Sequence, residues 1–167
     1  DIEFKLAVGQ PLNPIGPDEF GYYCYEGLDS YVPSPTFDWV EIDPNLGGQG
    51  TIVTLGDDQT VNRTMPFEWR LYGNASDRVS ICSNGFIAHG VTTNRDFGGN
   101  IPGPEGPSNP IVAGFWTDLN PLAAGGGKVY EWYDAANDRY IIEFSGVEHY
   151  DGGGNGPPET FQWIIYD

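Results

Sequence analysis

A turn with strong β-hairpin character lies at the middle of this 167-residue chain. The residues Ser83, Asn84 and Gly85 separate two apolar runs, 79–82 and 86–88. Asn-Gly between β-forming residues indicates a tight hairpin, because both residues tolerate the positive φ that such a turn requires. This stretch predicts two antiparallel strands that meet at Gly85.

The remainder of the chain repeats this alternation of short apolar runs and turn residues. The 24 glycines and 14 prolines lie between the apolar runs and follow no period. A spacing of about 8 to 12 residues between runs is typical of a sandwich or barrel. We therefore predict an all-β fold, a jelly-roll-like antiparallel β-sandwich of about 9 to 11 strands with no significant helix. The predicted strands are 2–8, 20–25, 37–42, 51–55, 67–72, 79–82, 86–88, 111–116, 128–133, 140–147 and 161–166.

A proline-rich stretch, 9–17, separates the first predicted strand from the others. We predict an N-terminal strand and arm over 1–17 and a sandwich domain over 18–167. The first strand alternates apolar and other residues, and its apolar members are Ile2, Phe4, Leu6 and Val8. It is expected to fold back on its own sandwich, to belong to a preceding domain, or to be donated to a neighbouring copy. A start at Asp1 predicts a processed or excised piece. The final apolar run at 161–166 predicts either a central strand whose partners come from elsewhere in the chain or a chain that has been cut at its C terminus.

The charge of the chain limits its partners. Lys and Arg number 7 against 24 Asp and Glu, which gives a net charge of −17. This charge repels nucleic acid phosphates and anionic membrane surfaces, and no apolar run is long enough to span a bilayer. Neither a nucleic acid partner nor membrane insertion is therefore expected, whereas cations are attracted.

Acidic turns make calcium a candidate cofactor, because Ca²⁺ binds clustered oxygen ligands from loops. The candidate ligands follow a strand or form a hairpin turn: Asp118, Asn120, Asp134, Asn137 and Asp138. A further acidic pair, Asp57 and Asp58, lies at another turn. The alternative is that these residues only form turns, where Asp and Asn are common.

The residue types also suggest two kinds of covalent modification, a disulfide bond and N-linked glycosylation. Cys24 and Cys82 are the two cysteines, and they predict either one disulfide in an oxidising compartment or two thiols that never meet. Asn62 and Asn74 begin N-x-S/T triplets and are candidate glycosylation sites.

The sequence contains no convincing set of catalytic residues. Ser80, Ser83 and His89 lie close together but lack a G-x-S-x-G elbow, and His89 with His149 is too small a set for zinc. A glycosidase pair would need two carboxyl groups on one sheet face. The strand residues that could supply it are Glu131, Glu143 and Glu148. We expect no enzymatic activity.

Aromatic residues are abundant, at 14% of the chain. Most are expected in the core, where large rings dominate sandwich packing. A surface glycan is a candidate partner if two or three rings share an exposed face. The rings considered are Trp39, Trp69, Trp116, Trp132 and Trp163, with Tyr22, Tyr23 and Tyr25.

Four blocks in order carry a family resemblance. They are 16–23 with 37–42, Met65-Pro-Phe-Glu-Trp-Arg-Leu-Tyr-Gly73 with 80–87, Ile111-Val-Ala-Gly-Phe-Trp-Thr-Asp-Leu119 with 129–134, and 160–167. Over 16–167 the chain resembles a β-rich accessory module of large secreted bacterial proteins, which stands beside peptidase domains, Ig-like repeats and sorting tails. More distantly, it is similar to the nidogen-type extracellular domain. The resemblance implies further strands after 160–167 and no catalytic residues.

These observations predict a non-catalytic module, extracellular or at the cell surface, for adhesion, spacing or substrate presentation within a larger protein. Its expected partners are other domains of the same protein or neighbouring copies. The first alternative is a subunit that assembles into a filament or surface layer by strand donation. The second alternative is a carbohydrate-binding module.

Overall fold

The computed structural model describes residues 15–25, 36–98, 109–125, 127–151 and 155–167. The chain divides into two compact units, Asp1–Val40 and Glu41–Asp167. This division lies further along the chain than the boundary predicted after Pro17. The predicted strand with Ile2, Phe4, Leu6 and Val8 lies outside the described residues.

The second unit contains nine described strands in two antiparallel sheets. They are β1 Thr51–Val53, β2 Thr60–Leu71, β3 Asn74–Cys82, β4 Phe86–His89, β5 Ile111–Ala113, β6 Leu119–Asn120, β7 Lys128–Asp134, β8 Arg139–Tyr150 and β9 Asn155–Tyr166. One sheet has the order β2-β3-β4-β5. In the other, β8 pairs with β6, β7 and β9, and β7 also pairs with β1. The described part contains one short 3₁₀ turn, Pro44–Leu46, and no α-helix.

Period-2 patterning places the core between the two sheets. Along β2, Met65, Phe67, Trp69 and Leu71 are buried, while the residues between them are exposed. They pack in one cluster with buried residues of the opposite sheet, including Ile142 and Phe144. The predicted antiparallel β-sandwich of 9 to 11 strands is confirmed.

One part-buried ion pair joins the two sheets. Arg63 of β2 donates from Nε to the Glu131 carboxylate of β7 at 2.7 and 2.8 Å. The Tyr140 hydroxyl also donates to Glu131, at 2.6 Å. Because Glu131 pairs with Ile142, and Tyr130 pairs with Glu143, Glu131 and Glu143 point to opposite faces of the sheet. The grouping of these two carboxylates on one face is therefore wrong.

Two predicted strands are wrong because side chains bind their backbone groups. Within 20–25, the described residues form a single bridge, Ile15 with Cys24, and the Asp18 carboxylate accepts from the Phe20 and Tyr22 amides. The stretch 37–42 forms no strand. Other bounds differ in length: β2, β3, β8 and β9 are longer than predicted, and β6 was not predicted.

Candidate metal centre

The central hairpin turn is built around a buried amide side chain. Gly85 closes the turn with φ +76° and donates its N–H to the Cys82 carbonyl at 3.2 Å. The Gly85 carbonyl then accepts from the amides of Gly114 and Phe115, at 3.1 and 3.2 Å. Asn84, the residue before Gly85, is fully buried, so its polar side-chain atoms need hydrogen-bond partners within the protein.

Asn84 connects three separate segments. Its Nδ2 donates to Asp58 Oδ1 at 2.8 Å and to the Arg95 carbonyl at 2.7 Å. Its Oδ1 accepts from the Leu119 amide at 3.1 Å. Asn84 therefore links the turn to two segments that carry acidic residues. One is the β1–β2 connection, which contains Asp58, and the other is the start of β6 at Leu119, which follows Asp118.

The acidic group consists of Asp57, Asp58 and Asp118. One carboxylate oxygen of each lies within 4.8 Å of the others. Asp57 is exposed, and Asp58 and Asp118 are half-buried. Asp58 adopts φ +46°, a left-handed conformation that Asp tolerates better than most residues.

The carboxylates of this group repel one another. Burial, together with the charge of Asp58, raises the pKa of Asp57. Burial and the charges of Asp58 and Asp57 raise the pKa of Asp118. Among the described residues, the ion pairs of Arg63, Arg139 and His149 lie elsewhere. Three converging carboxylates supply hard oxygen donors, which fit Ca²⁺ better than a soft transition metal.

Comparison with known proteins places the chain in a family. A family model described as NIDO related matches residues 36–167. The chain belongs to the NIDO-related family. No match was found among curated proteins or among solved structures.

Membership indicates that this NIDO-related domain is an extracellular module of a non-catalytic type. It supports the distant nidogen-type resemblance seen in the sequence blocks. In the part of the chain that the structure describes, no helix has the length and apolar character needed to cross a membrane.

In the Asp134–Asp138 turn, the predicted ligands make hydrogen bonds with one another and with neighbouring side chains, including that of Arg139. Asp134 Oδ2 accepts from Asn137 Nδ2 at 2.6 Å and from Arg139 Nε at 2.8 Å. The hydrogen bond from Asn137, with that from Arg139, lowers the pKa of Asp134 despite its burial. Asp138 accepts from the Tyr133 hydroxyl at 3.3 Å. These contacts favour the turn-forming role for this stretch of the NIDO-related domain.

The other two predicted calcium ligands, Asp118 and Asn120, make different contacts in the structure. Asp118 joins Asp57 and Asp58, the pair outside the main predicted set. Asn120 Oδ1 instead accepts from the Leu122 amide at 2.8 Å, which stabilises the turn after β6.

The residues considered for catalysis carry structural hydrogen bonds. Ser80 Oγ donates to Asn62 Oδ1 at 2.6 Å and to the Gly90 carbonyl at 2.8 Å as alternatives. Ser83 Oγ accepts from the Gln59 amide at 3.0 Å. The His89 ring lies 3.3 Å from the Trp69 carbonyl oxygen and is buried.

The cysteines and the two glycosylation triplets lie in contrasting environments. Cys24 and Cys82 are free thiols in the structure, the first exposed and the second buried, so their disulfide stays a prediction. Asn62 is half-buried within β2 and accepts from Ser80, whereas Asn74 is exposed beside the β2–β3 turn. Glycosylation also stays a prediction, and accessibility favours Asn74.

Tryptophan placement gives little support to a glycan platform. Trp69 and Trp163 are buried in the core, and Trp116 is half-buried, with its Nε1 donating to the Asp96 carbonyl at 2.9 Å. Trp39 and Trp132 are also half-buried. The exposed rings of the predicted set are Tyr22 and Tyr23 in the first unit.

Sequence reasoning missed two residues of consequence in this domain. The sequence identifies Asn84 only as a turn former, and Glu143 only as one carboxylate among several. The sequence carries no signal for the burial of Asn84, because turn residues normally lie at the surface. For Glu143 the signal was a charged residue inside the apolar run 140–147.

Proposed function

We propose that this NIDO-related domain is a non-catalytic accessory module that binds calcium and serves spacing, adhesion or substrate presentation within a larger secreted protein. The observation that carries the proposal is the convergence of Asp57, Asp58 and Asp118 within 4.8 Å. Family membership supports the extracellular setting, where calcium is abundant enough to occupy weak sites.

Calcium would act as a cross-link between two segments that otherwise repel. Asp57 and Asp58 come from the β1–β2 connection, and Asp118 comes from the stretch before β6. Without a cation, the three carboxylates oppose one another in a chain that already carries −17. With Ca²⁺ bound, the same charges become ligands and hold both segments at the Asn84 turn, which suits a module that must stay rigid between neighbours.

We expect calcium to raise the melting temperature of the domain by about 5–10 °C at saturating concentration, because a ligand that binds only the folded state stabilises it. Asp118→Asn should abolish this rise, since it removes one of the three charged ligands. In the presence of chelator, Asp118→Asn should melt no lower than the wild type, because it also relieves repulsion. Thermal melting with calcium and with chelator measures both effects.

The matched control is Asp138→Asn, which removes one charge from the other acidic turn. This variant should keep the full calcium response. An unchanged wild-type melting temperature on chelation would contradict the calcium site, and loss of the response only in Asp138→Asn would place it at that turn.

A second candidate function is self-assembly by strand donation, and the edge of β9 favours it. Among the described residues, β9 pairs with β8 alone along Asn155–Tyr166. A strand with one free edge exposes backbone donors and acceptors that another strand can bind. The alternating run 2–8 of a neighbouring copy has the apolar pattern that such an edge accepts. Head-to-tail repetition of this exchange would not close and would form a filament.

Deleting residues 1–10 tests this candidate. Donation predicts that the deletion converts assemblies to monomers, as measured by light scattering and electron microscopy. A triple substitution, Ile2→Glu, Phe4→Glu and Leu6→Glu, should have the same effect, whereas Lys5→Gln should leave assembly intact. A chain that is monomeric with and without residues 1–10 contradicts donation.

A further inference from the structure

The second unit begins with a tight segment that binds the outer face of a sheet. We call Glu41–Gly50 the clasp segment. Ile42 donates its amide to Glu143 Oε2 at 3.1 Å, and Asp43 Oδ2 accepts from Ser145 Oγ at 2.7 Å. Glu143 and Ser145 alternate along β8 and share the face that points away from the sandwich core.

The clasp segment is closed upon itself by backbone contacts. The Gly50 amide donates to the Ile42 carbonyl at 2.7 Å, and the Gly48 amide donates to the Asp43 carbonyl at 2.8 Å. A Cβ on Gly48 would lie 2.1 Å from the Ile42 carbonyl carbon, so only glycine fits there. Ile42 is fully buried as a result.

Glu143 is an unusual residue for the centre of such a contact. It is fully buried, and its Oε1 has no hydrogen-bond donor among the described residues. Its Oε2 accepts from the Ile42 amide and lies 3.5 Å from Gln162 Nε2. A buried carboxylate oxygen without a donor is costly, because desolvation of the charge is not compensated.

The charged groups around Glu143 increase this cost. Glu41 of the clasp segment and Asp43 both place negative charge beside the Glu143 carboxyl group. The nearby Tyr130 of β7 is neutral and accepts from Asn45 Nδ2 at 3.2 Å. The ion pairs found among the described residues do not include Glu143.

A proton satisfies this arrangement better than a metal ion. Asp43 is already occupied, since its Oδ1 accepts from the Asn45 amide at 2.8 Å and its Oδ2 accepts from Ser145. Glu41 Oε1 accepts from the Asp43 amide at 2.7 Å. Glu143 Oε1 is the buried oxygen without a donor, and a single proton held between Glu143 and Glu41 supplies one.

We propose that Glu143 and Glu41 share one proton, that this proton holds the clasp segment on the outer face of the sheet, and that its loss releases the segment. The clasp segment is the start of the sandwich unit, directly after Val40. Its release would therefore free the residues that connect the sandwich to the preceding part of the chain.

The direction of the pH effect follows from the folded and unfolded states. Burial, followed by the charges of Glu41 and Asp43, raises the pKa of Glu143 from 4.5 to about 7, although the Ile42 hydrogen bond opposes this. The folded state then retains a proton that the unfolded state releases. Stability from this carboxyl group is fully present below its unfolded pKa and declines as the pH rises from 4.5 to about 7.

The test compares the pH dependence of wild type and Glu143→Gln. Glutamine keeps the shape and supplies a permanent donor to Glu41. We expect the wild-type melting temperature to fall by about 5 °C between pH 5 and pH 8, and the Glu143→Gln profile to be flatter and higher at pH 8. Hydrogen exchange, corrected for intrinsic rates, should show the Ile42 and Gly50 amides losing protection at pH 8 in the wild type alone.

Glu68→Gln is the matched control, because Glu68 is exposed on β2 and the substitution changes the net charge equally. Its pH profile should follow the wild type. If Glu143→Gln keeps the wild-type pH dependence, or if calcium abolishes that dependence in the wild type, the shared proton is wrong. Should Glu143→Gln fail to fold, ¹³C NMR titration of the wild-type Glu143 carboxyl decides: a midpoint near 7 supports the proposal, and an ordinary glutamate midpoint overturns it.

Discussion

Gly85→Ala is expected to lower the free energy of unfolding by about 4 kcal/mol. Alanine at φ +76° carries the cost of the left-handed conformation, about 1–2 kcal/mol. Its Cβ would also lie 1.9 Å from the Phe115 carbonyl oxygen, a backbone atom that cannot rotate away. Forcing that contact apart disturbs the two hydrogen bonds to the Gly85 carbonyl and adds about 2–3 kcal/mol. Denaturant unfolding of the purified domain measures the loss.

Gly73→Ala is a close control for this prediction. Gly73 has φ +78°, and no atom lies within 4 Å of the position its Cβ would take. It therefore reports the conformational cost alone, about 1–2 kcal/mol. Equal losses in the two variants would show that the approach of Phe115 to the turn has no energetic weight.

Asn84→Ala is expected to lower the free energy of unfolding by about 3 kcal/mol and to weaken the calcium response. The substitution leaves the buried Leu119 amide without an acceptor and removes the donor to Asp58 and to the Arg95 carbonyl. Each buried group that loses its partner costs about 1–3 kcal/mol, and the partners that solvent can reach regain hydrogen bonds with water. Because Asn84 positions Asp58 and the residue after Asp118, the three carboxylates should no longer converge.

The measurement combines denaturant unfolding with calcium-dependent melting. Asn74→Ala is the control, since Asn74 is exposed and its amide makes one contact, 3.4 Å to the Tyr72 carbonyl. Its loss should stay within about 0.5 kcal/mol, with an intact calcium response. If Asn84→Ala behaves as this control does, the turn does not organise the acidic group.

Strands with a clear pattern of their own were predictable from sequence. The alternation in β2 and the apolar run of β8 each indicated a strand, because the side chains of a strand point to opposite faces in turn. The wrong strand at 37–42 had an equally apolar pattern. Its failure has a tertiary cause, since the Ile42 amide binds the Glu143 side chain and the Ile42 carbonyl binds Gly50.

The acidic site was predictable only as a set of candidates. The predicted ligands were Asp118, Asn120, Asp134, Asn137 and Asp138, with Asp57 and Asp58 as a further pair, because local sequence does not reveal which turns converge. In the structure, Arg139 neutralises Asp134, while Asp118 lies beside Asp57 and Asp58. The difference depends on the order of strands in the sheets, which places distant turns together.

The amino-acid pattern was sufficient to predict the fold class, the central hairpin at Asn84-Gly85 and the acidic, cation-attracting character of this domain. Those properties arise from local conformational preference, period-2 burial and summed charge, and each can be evaluated along the chain. Tertiary structure alone decided that Asn84 is buried, that Asp118 joins Asp57 and Asp58, and that Glu143 receives an amide from a residue 101 positions away. Burial and charge proximity set pKa and ligand geometry, and both depend on contacts between residues far apart in sequence.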